Sequence, residues 1–293
     1  MLTLEPETLA QHADAVAARL EDEEKDVRWG AVITMALMRP HAIIVHIPAL
    51  VARFDDSSEV VRREALHACA VHAKTDPEGA ILHQLTKHVG SVVARLEDPY
   101  PPSRTHALIM LTLLGPAHLA MNVEAVAAKL DDCVMEVRLL TLKALGEMHP
   151  DVLSPHTDAV AALLEDPSDD VRTAALQTLA EVDLVSLPIY ADAVAEALDD
   201  DSDYVRYHAL LTLHKLPPSV LGNYVADVIS MLEDSHSVSR STAVEVLGKM
   251  PPATLARFVP ALSDKIRSRC PNVRRVALDC LLYTSPSPRD CRL

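Results

Sequence analysis

An arginine recurs along this chain at a nearly constant interval, and this repeat constrains the fold more than any other feature of the sequence. The arginine, which usually follows a valine, stands at Arg28, Arg62, Arg104, Arg138, Arg172, Arg206, Arg240 and Arg274. Successive arginines are 34 residues apart, except that 42 residues separate the second from the third. A fixed period of this length indicates stacked copies of one small structural unit, here numbered repeats 1 to 8.

Two apolar patterns accompany each of these register arginines. Positions four and seven after the arginine are apolar in almost every repeat, as at Leu176 and Leu179, which predicts one face of a helix termed helix B. The positions twelve and eight residues before the arginine are also apolar, as at Val160 and Leu164, and they predict a preceding helix, termed helix A. Prolines such as Pro150 separate B from the next A. The sequence therefore predicts an all-α fold, an α-α superhelix (solenoid) of about eight 34-residue helical hairpins.

Composition narrows the class of partner and the compartment. A hydrophobic content of 49% is too high for a disordered acidic chain, and seven glycines are few for a protein with phosphate-binding loops. The net charge of −15 argues against nucleic acid or an anionic membrane as partner. The amino terminus lacks a secretory signal pattern, and five cysteines without a paired motif suit reduced thiols. We expect a soluble cytoplasmic or nuclear protein.

An aspartate six residues before the register arginine forms a further column. It occupies seven of the eight repeats, at Asp22, Asp56, Asp98, Asp132, Asp166, Asp200 and Asp234. An aspartate just ahead of helix B is expected to cap its free amides. The register arginine is expected to bond the aspartate of its own or an adjacent repeat, giving a ladder of charge-assisted hydrogen bonds along the stack. The predicted ladder thus comprises these aspartates with the register arginines from Arg28 to Arg240.

The motif Asp-x-x-x-x-Val-Arg-x-x-Ala-Leu, following an apolar helix, resembles the HEAT repeat family, which is armadillo-like and includes PBS-lyase HEAT-like members. The resemblance covers roughly Leu9 to Leu281, and we assign an array over 1–281. The tryptophan and Gly-Tyr pattern of tetratricopeptide repeats is not found. The resemblance implies that B helices line a concave face and that the chain is a protein-binding scaffold.

Three departures from the motif stand out. An eight-residue insertion near 72–88 either lengthens a helix or forms a protruding loop. Serine replaces the valine before the register arginine at Ser103 and Ser239, and Ser268 replaces the aspartate of repeat 8. Residues 282–293 resemble a translated sequencing adapter, so we predict a non-native tail there and a natural chain that continues beyond it.

Residues that would carry catalysis or bind a metal are not found at the required spacings. The position sixteen before the register arginine holds His, Asn, Tyr or Phe, which is typical of a packing position with a polar tip. The sequence contains no His or Cys motif that is typical of metal binding. It also contains no signature of a catalytic nucleophile or a phosphate-binding loop. We predict no enzyme activity, no cofactor and no metal site.

Outward positions of helix B carry large apolar and amphipathic side chains, which suit a surface that binds a peptide or a helix. The alternative is that they pack against neighbouring B helices. The predicted partner-binding residues are Trp29, Ile33, His67, His106, Met110, Leu140, Tyr207, His208 and Leu211.

Acidic residues concentrate in the turns between helices A and B. Of the 42 acidic residues, 23 lie within the seven positions before the first seven register arginines. This edge is either a solvated surface or one that attracts a basic partner. We therefore predict a non-catalytic scaffold or adaptor that is monomeric as this fragment. Its predicted partner is a protein or peptide, which is basic if the acidic edge takes part in binding. The alternatives are a metal- or tetrapyrrole-handling lyase or chaperone and a transport-receptor-like carrier of basic cargo.

Overall fold

The computed structural model describes residues 6–268 and 271–284. Every regular element in these two ranges is helical, and no β-strand occurs within them. The all-α prediction is therefore confirmed.

Helix B of each repeat is a single α-helix that begins three residues before the register arginine. The B helices are α3 (Lys25–Ala36), α6 (Glu59–Thr75), α9 (Pro101–Leu114), α12 (Met135–Gly146), α15 (Asp169–Leu179), α17 (Asp203–Lys215), α20 (Ser237–Gly248) and α23 (Pro271–Thr284).

Helix A is not continuous, since each repeat builds it from short segments. The first segments are α1 (Pro6–Ala10), α4 (Pro40–Ile43), α7 (Ala80–Thr86), α10 (Pro116–Met121), α13 (Pro150–Leu153), α18 (Pro218–Leu221) and α21 (Pro252–Leu255). The second segments are α2 (Ala13–Ala17), α5 (Ile47–Ala52), α8 (Val89–Ala94), α11 (Val123–Ala127), α14 (Thr157–Ala162), α16 (Ala191–Glu196), α19 (Val225–Ser230) and α22 (Val259–Lys265). Most first segments begin at proline, whose fixed φ and missing N–H suit the first position of a helix.

Turns of 3-10 helix join or end these segments. Those that directly precede a second segment are Ile44–His46, Ser154–His156, Leu187–Tyr190, Gly222–Tyr224 and Ala256–Phe258. Those that end helix A are Ala18–Glu21, Arg53–Asp55, Arg95–Glu97, Ala128–Asp131, Leu163–Glu165, Ala197–Asp199 and Met231–Glu233.

The chain divides into two compact bodies, Met1–Val152 and Leu153–Leu293. In the amino-terminal body the B helices α3, α6, α9 and α12 pack in chain order, each against the next. In the carboxy-terminal body α15, α17, α20 and α23 do the same. Within every repeat the second segment of helix A packs on its own helix B, so each repeat is a hairpin, and within each body the hairpins pack in chain order.

The apolar columns form the core of both bodies. Leu66, Leu108, Leu176 and Leu210, four residues after their register arginines, are at most 1% exposed. The preceding position holds alanine in most repeats and is buried throughout, because a small side chain lets neighbouring helices approach closely. Thr141 takes the alanine's place in repeat 4, and its hydroxyl donates to the Val137 carbonyl at 2.8 Å.

The insertion after repeat 2 lengthens helix B rather than forming a protruding loop. Helix α6 runs on to Thr75, and a turn at 76–79 leads directly into α7. Asp76 stabilises this turn, because its carboxylate accepts the amides of Glu78 at 3.2 Å and Ile81 at 2.7 Å. Gly79 adopts a positive φ of 67°, a conformation that disfavours side chains.

The predicted non-native tail lies mostly outside the described residues, which end at 284. Residues 282–284 continue α23 to Thr284. The assignment of 282–293 to an adapter therefore stays a prediction.

Candidate protein-binding surface

The register arginines link consecutive repeats at the A–B turns. Arg28 Nε donates to Asp56 Oδ2 at 2.7 Å, and Arg28 Nη2 donates to Asp56 Oδ1 at 2.8 Å. The same guanidinium donates through Nη1 to the carbonyl of Asp22 at 2.9 Å. Each arginine thus bonds the backbone of its own turn and the carboxylate of the next turn, in the planar two-bond geometry that a guanidinium favours.

This arrangement repeats in both bodies. The pairs, with their Nε to Oδ2 distances, are Arg62–Asp98 (2.6 Å), Arg104–Asp132 (2.7 Å), Arg172–Asp200 (2.7 Å) and Arg206–Asp234 (2.6 Å). Arg138 and Arg240 donate through Nη1 to the carbonyls of Asp132 and Asp234 in their own turns. In repeat 8 the position six residues before the register arginine holds Ser268, so no aspartate stands there to pair with Arg240.

The aspartates do not cap helix B as expected. Helix α15 begins at Asp169, three residues after Asp166, and the carboxylate of Asp166 accepts the amide of Ser168 at 2.9 Å. The bonded amide belongs to the residue before the helix, which closes an Asx turn and leaves the first helical amides without a side-chain cap. The same bond recurs in the other six turns. The aspartate therefore shapes the turn and holds the preceding repeat's arginine.

The ladder shifts the titration of its carboxyls. Burial by itself would raise the pKa of Asp56, but hydrogen bonds from Arg28 and the Ser58 amide outweigh it, so the pKa of Asp56 lies below its usual range. The pKa values of Asp98, Asp132, Asp200 and Asp234 are lowered for the same reasons. These carboxyls are charged at neutral pH.

The predicted partner-binding residues lie on the B helices, and most are half-buried because adjacent B helices pack side by side. Trp29 is the most open of the large apolar ones, with 42% of its surface exposed. His67 is also exposed. Half-buried positions are Ile33, His106, Leu140, Tyr207, His208 and Leu211. These side chains have a packed base and an accessible end.

Met110 is a correction to the prediction, since it is completely buried. It stands six residues after its register arginine, a column that holds Ala68, Ala144, Thr178 and Thr212 in other repeats, all buried. This column lies where neighbouring B helices approach each other. Its small side chains were a signal that the position faces a neighbour rather than a partner.

His67 and His106 meet on neighbouring B helices of the amino-terminal body. His106 Nδ1 lies 2.7 Å from the Pro102 carbonyl, which can only accept, so Nδ1 carries the proton in neutral His106. His106 Nε2 then accepts from His67 Nδ1 at 3.2 Å. Burial lowers the pKa of His106, which favours its neutral form.

Tyr207 and His208 share one face of α17 in the carboxy-terminal body. Their rings meet edge to face with centroids 5.0 Å apart, and the amide nitrogen of Gln177 lies 3.2 Å from His208 Nε2. Burial lowers the pKa of His208. An aromatic ring beside a neutral imidazole suits contact with apolar and hydrogen-bonding groups of a peptide.

A second set of bonds joins repeats on the A helices, and it was not predicted from the sequence. The tyrosine hydroxyls of Tyr190 and Tyr224 donate at 2.6 Å to Asp158 and Asp192 of their preceding repeats. Burial and these carboxylates raise the pKa of each tyrosine to about 12. The sequence contained a signal for these bonds. In each case an acid stands fourteen residues before one register arginine, and a tyrosine stands sixteen residues before the next register arginine.

A third set of contacts lies along the acidic edge. Arg95 Nη2 contacts Asp55 Oδ1 at 2.7 Å, and Lys129 Nζ contacts Glu97 Oε1 at 2.6 Å. Lys265 Nζ contacts Glu233 Oε2 at 2.6 Å in the carboxy-terminal body. The edge is therefore partly neutralised by cations from the following repeat.

Neither a cluster of metal ligands nor a membrane-spanning helix occurs within the described ranges. No group of three or more His, Cys, Asp or Glu side chains there could hold a metal ion. Within the same ranges, the helices are all too short or too polar to cross a bilayer.

These features define the class of protein, an all-α solenoid of helical hairpins linked turn to turn. A crystal structure of an engineered protein, a structural-genomics target, shares this fold with a TM-score of 0.67, over 95% of this chain and 81% of that chain, at 17% sequence identity. A family model for HEAT repeats matches residues 123–214, which span repeats 4 to 6. Residues 123–214 thus match HEAT repeats, the family that the turn motif resembles. No curated protein matches the sequence.

Proposed function

We propose that this chain is a non-catalytic scaffold or adaptor that docks a protein partner across neighbouring B helices. Its repeats are of a kind that suits protein interaction, and Trp29 carries the proposal because it is a large aromatic side chain held half in solvent on α3. Aromatic residues of this kind dominate the energetics of protein interfaces. The inter-repeat bonds support the role, since they hold the B helices in a fixed register before any partner arrives.

Alanine substitutions on the B helices test this proposal. We expect Trp29→Ala, Tyr207→Ala and Leu211→Ala each to weaken partner binding by about 1–2 kcal/mol, roughly five- to thirtyfold, because each removes a partly exposed contact. The measurement is quantitative affinity capture of partners by the tagged chain, followed by titration of the purified partner.

Met121→Ala is the matched control. Met121 is 81% exposed at the end of α10, which is a segment of helix A rather than a B helix. Its variant should retain binding. Normal binding by the three B-helix variants, with unchanged helix content by circular dichroism, would remove the B-helix face from the proposal.

The acidic edge favours a second candidate, a carrier of basic cargo. Glu165 and Asp199 are exposed, and neither carboxylate forms an ion pair with another residue of the ranges 6–268 and 271–284. Binding that weakens steeply as salt rises would support this function, whereas the scaffold proposal expects a weaker salt dependence. Purified protein that carries stoichiometric metal or a visible chromophore would instead indicate the lyase or chaperone class and overturn both.

A further inference from the structure

The outward face of the B helices changes in composition along the chain. The positions five and nine residues after the register arginine lie on this face, whereas the positions seven and ten after it are buried in repeats 1 to 7. In repeats 1 to 3 the two outward positions hold Ile33, Leu37, His67, Val71, Ile109 and Leu113. In repeats 5 to 7 they hold Gln177, Glu181, Leu211, Lys215, Glu245 and Lys249. The face is thus mostly apolar over repeats 1 to 3 and mostly polar over repeats 5 to 7.

The packing of the repeats does not require these apolar side chains. Repeats 3 and 5 bury the same columns of their B helices, yet repeat 5 has Gln177 and Glu181 where repeat 3 has Ile109 and Leu113. Water reaches the apolar side chains of repeats 1 to 3, since Leu37 is 52% exposed and the other four are half-buried. Apolar surface of this kind on adjacent helices is typical of a site that another molecule covers. We term this surface the apolar patch, which consists of Ile33, Leu37, Val71, Ile109 and Leu113.

The extension of α6 adds a cation at the edge of the apolar patch. Lys74 stands three residues after Val71 on α6, so it lies about one turn further along the same face. The other B helices α3, α9, α12, α15, α17 and α20 all end before the equivalent position. Lys74 is exposed, and its ammonium group forms no ion pair with another residue of the ranges 6–268 and 271–284. Arg63, at the other end of this face of α6, already contacts Glu64.

The spacing of the helices under the patch fits an α-helix as its occupant. The patch spans three neighbouring B helices, since α3 packs on α6 and α6 packs on α9. Packed helices lie about 8–10 Å apart, and an α-helix rises about 10 Å over seven residues. A helix that crosses α3, α6 and α9 can therefore place one apolar side chain on each of them, from residues seven apart in its own sequence.

We propose that the apolar patch receives an amphipathic α-helix of a protein partner, which crosses α3, α6 and α9 and directs a carboxylate to Lys74. The inference rests on the proposed scaffold function and names the chemistry of the partner segment. The apolar face of such a helix matches the patch. An acidic side chain at its edge complements Lys74, because a partner that covered this cation without pairing it would pay for its desolvation.

A designed peptide and a variant copied from repeat 5 test the apolar contact. The probe is a fluorescein-labelled, alanine-rich helix with leucine at every seventh position and one glutamate beside the central leucine, titrated by fluorescence anisotropy at low salt. We expect the double variant Ile109→Gln with Leu113→Glu to bind it at least about tenfold more weakly than the wild type, because two apolar contacts are lost. Repeat 5 carries these two residues at the same positions, so the variant is expected to fold.

Met135→Glu is the matched control for the double variant. It makes the same change of net charge in the same body and removes an apolar side chain that is 40% exposed. Met135 is the first residue of α12 and lies outside the apolar patch. This variant should bind the peptide within about twofold of the wild type.

A charge exchange tests the role of Lys74. We expect Lys74→Glu to bind the glutamate peptide roughly fivefold more weakly than the wild type at low salt, because an attraction becomes a repulsion. A second peptide with lysine in place of the glutamate should bind Lys74→Glu more tightly than it binds the wild type. If Lys74→Glu and the wild type prefer the same peptide, the partner's carboxylate does not meet Lys74 and the proposal fails.

Equal binding by the double variant and Met135→Glu would overturn the proposal, and so would a wild type that does not bind the glutamate peptide. Circular dichroism shows whether each variant is folded. Leu37→Gln changes an exposed residue just after α3 and supplies an independent reading of the patch if the double variant is unfolded. A captured partner that binds the double variant normally but is lost in Tyr207→Ala would leave the scaffold function standing without the apolar patch.

Discussion

At the residue scale, the register arginine performs two structural roles that no other side chain could combine. Arg172 bonds a backbone carbonyl of its own turn and both oxygens of Asp200 in the next turn. A guanidinium presents five donors in a plane, whereas a lysine could approach the carboxylate with one ammonium group only. The column is therefore arginine in all eight repeats.

We expect Arg172→Ala to lower the free energy of unfolding by about 2–4 kcal/mol, because Asp200 would keep its charge in a largely buried turn without its main partner. Arg172→Lys should restore only part of this loss. Urea denaturation followed by circular dichroism measures both.

Arg257→Ala and Lys143→Ala are the controls for this prediction. Both side chains are exposed, and neither substitution should change stability by more than about 0.5 kcal/mol. If Arg172→Ala unfolds at the same urea concentration as these controls, the arginine ladder does not stabilise the stack.

At the element scale, the insertion after repeat 2 is absorbed by extending α6 and packing the extra turn. His72 in this extension is buried, and its Nε2 lies 3.0 Å from the Met35 carbonyl at the end of α3. Because a carbonyl can only accept, Nε2 donates, and burial lowers the pKa of His72 so that the ring stays neutral. The extension is thus anchored on repeat 1 rather than free.

The turn after this extension depends on one glycine. Gly79→Ala should destabilise the amino-terminal body by about 1 kcal/mol, because a φ of 67° strains any residue with a Cβ although space is available. Gly90→Ala is the control, since Gly90 lies in α8 with open space around its Cα and alanine favours helix. Thermal melting compares the two. A Gly79→Ala variant that melts with Gly90→Ala would show that the turn adopts another conformation.

At the scale of the whole molecule, the inter-repeat bonds make stability depend on acid. Five ladder carboxyls, distributed over both bodies, have pKa values below their usual range. The unfolded chain binds protons at these carboxyls before the folded chain does, so their contribution is complete above the unfolded pKa of about 4 and is lost as pH falls through the folded values.

We therefore expect the free energy of unfolding to fall steeply below about pH 4. Asp200→Asn should be less stable at neutral pH and should lose less on acidification, because one of the titrating carboxyls has been removed. Urea titrations at a series of pH values measure the slope. An unchanged slope in Asp200→Asn would exclude this carboxyl from the acid response.

The sequence by itself determined the helical repeat and its core. Helical periodicity is a local property, so columns such as Leu176 and Leu179 could be assigned to a buried face without knowing what covers them. The charged column of Arg172 and Asp166 was visible for the same reason, as was the large side chain of Trp29 on an outward position.

Only the tertiary structure decided which groups meet across repeats. The spacing and rotation between neighbouring hairpins direct Arg172 to Asp200 rather than to the carboxylate of its own turn. The same packing buries Met110 between B helices, because a neighbouring helix covers a position that the isolated helix would expose to solvent. Contacts of this kind depend on distances between separate elements, which periodicity along one chain does not encode.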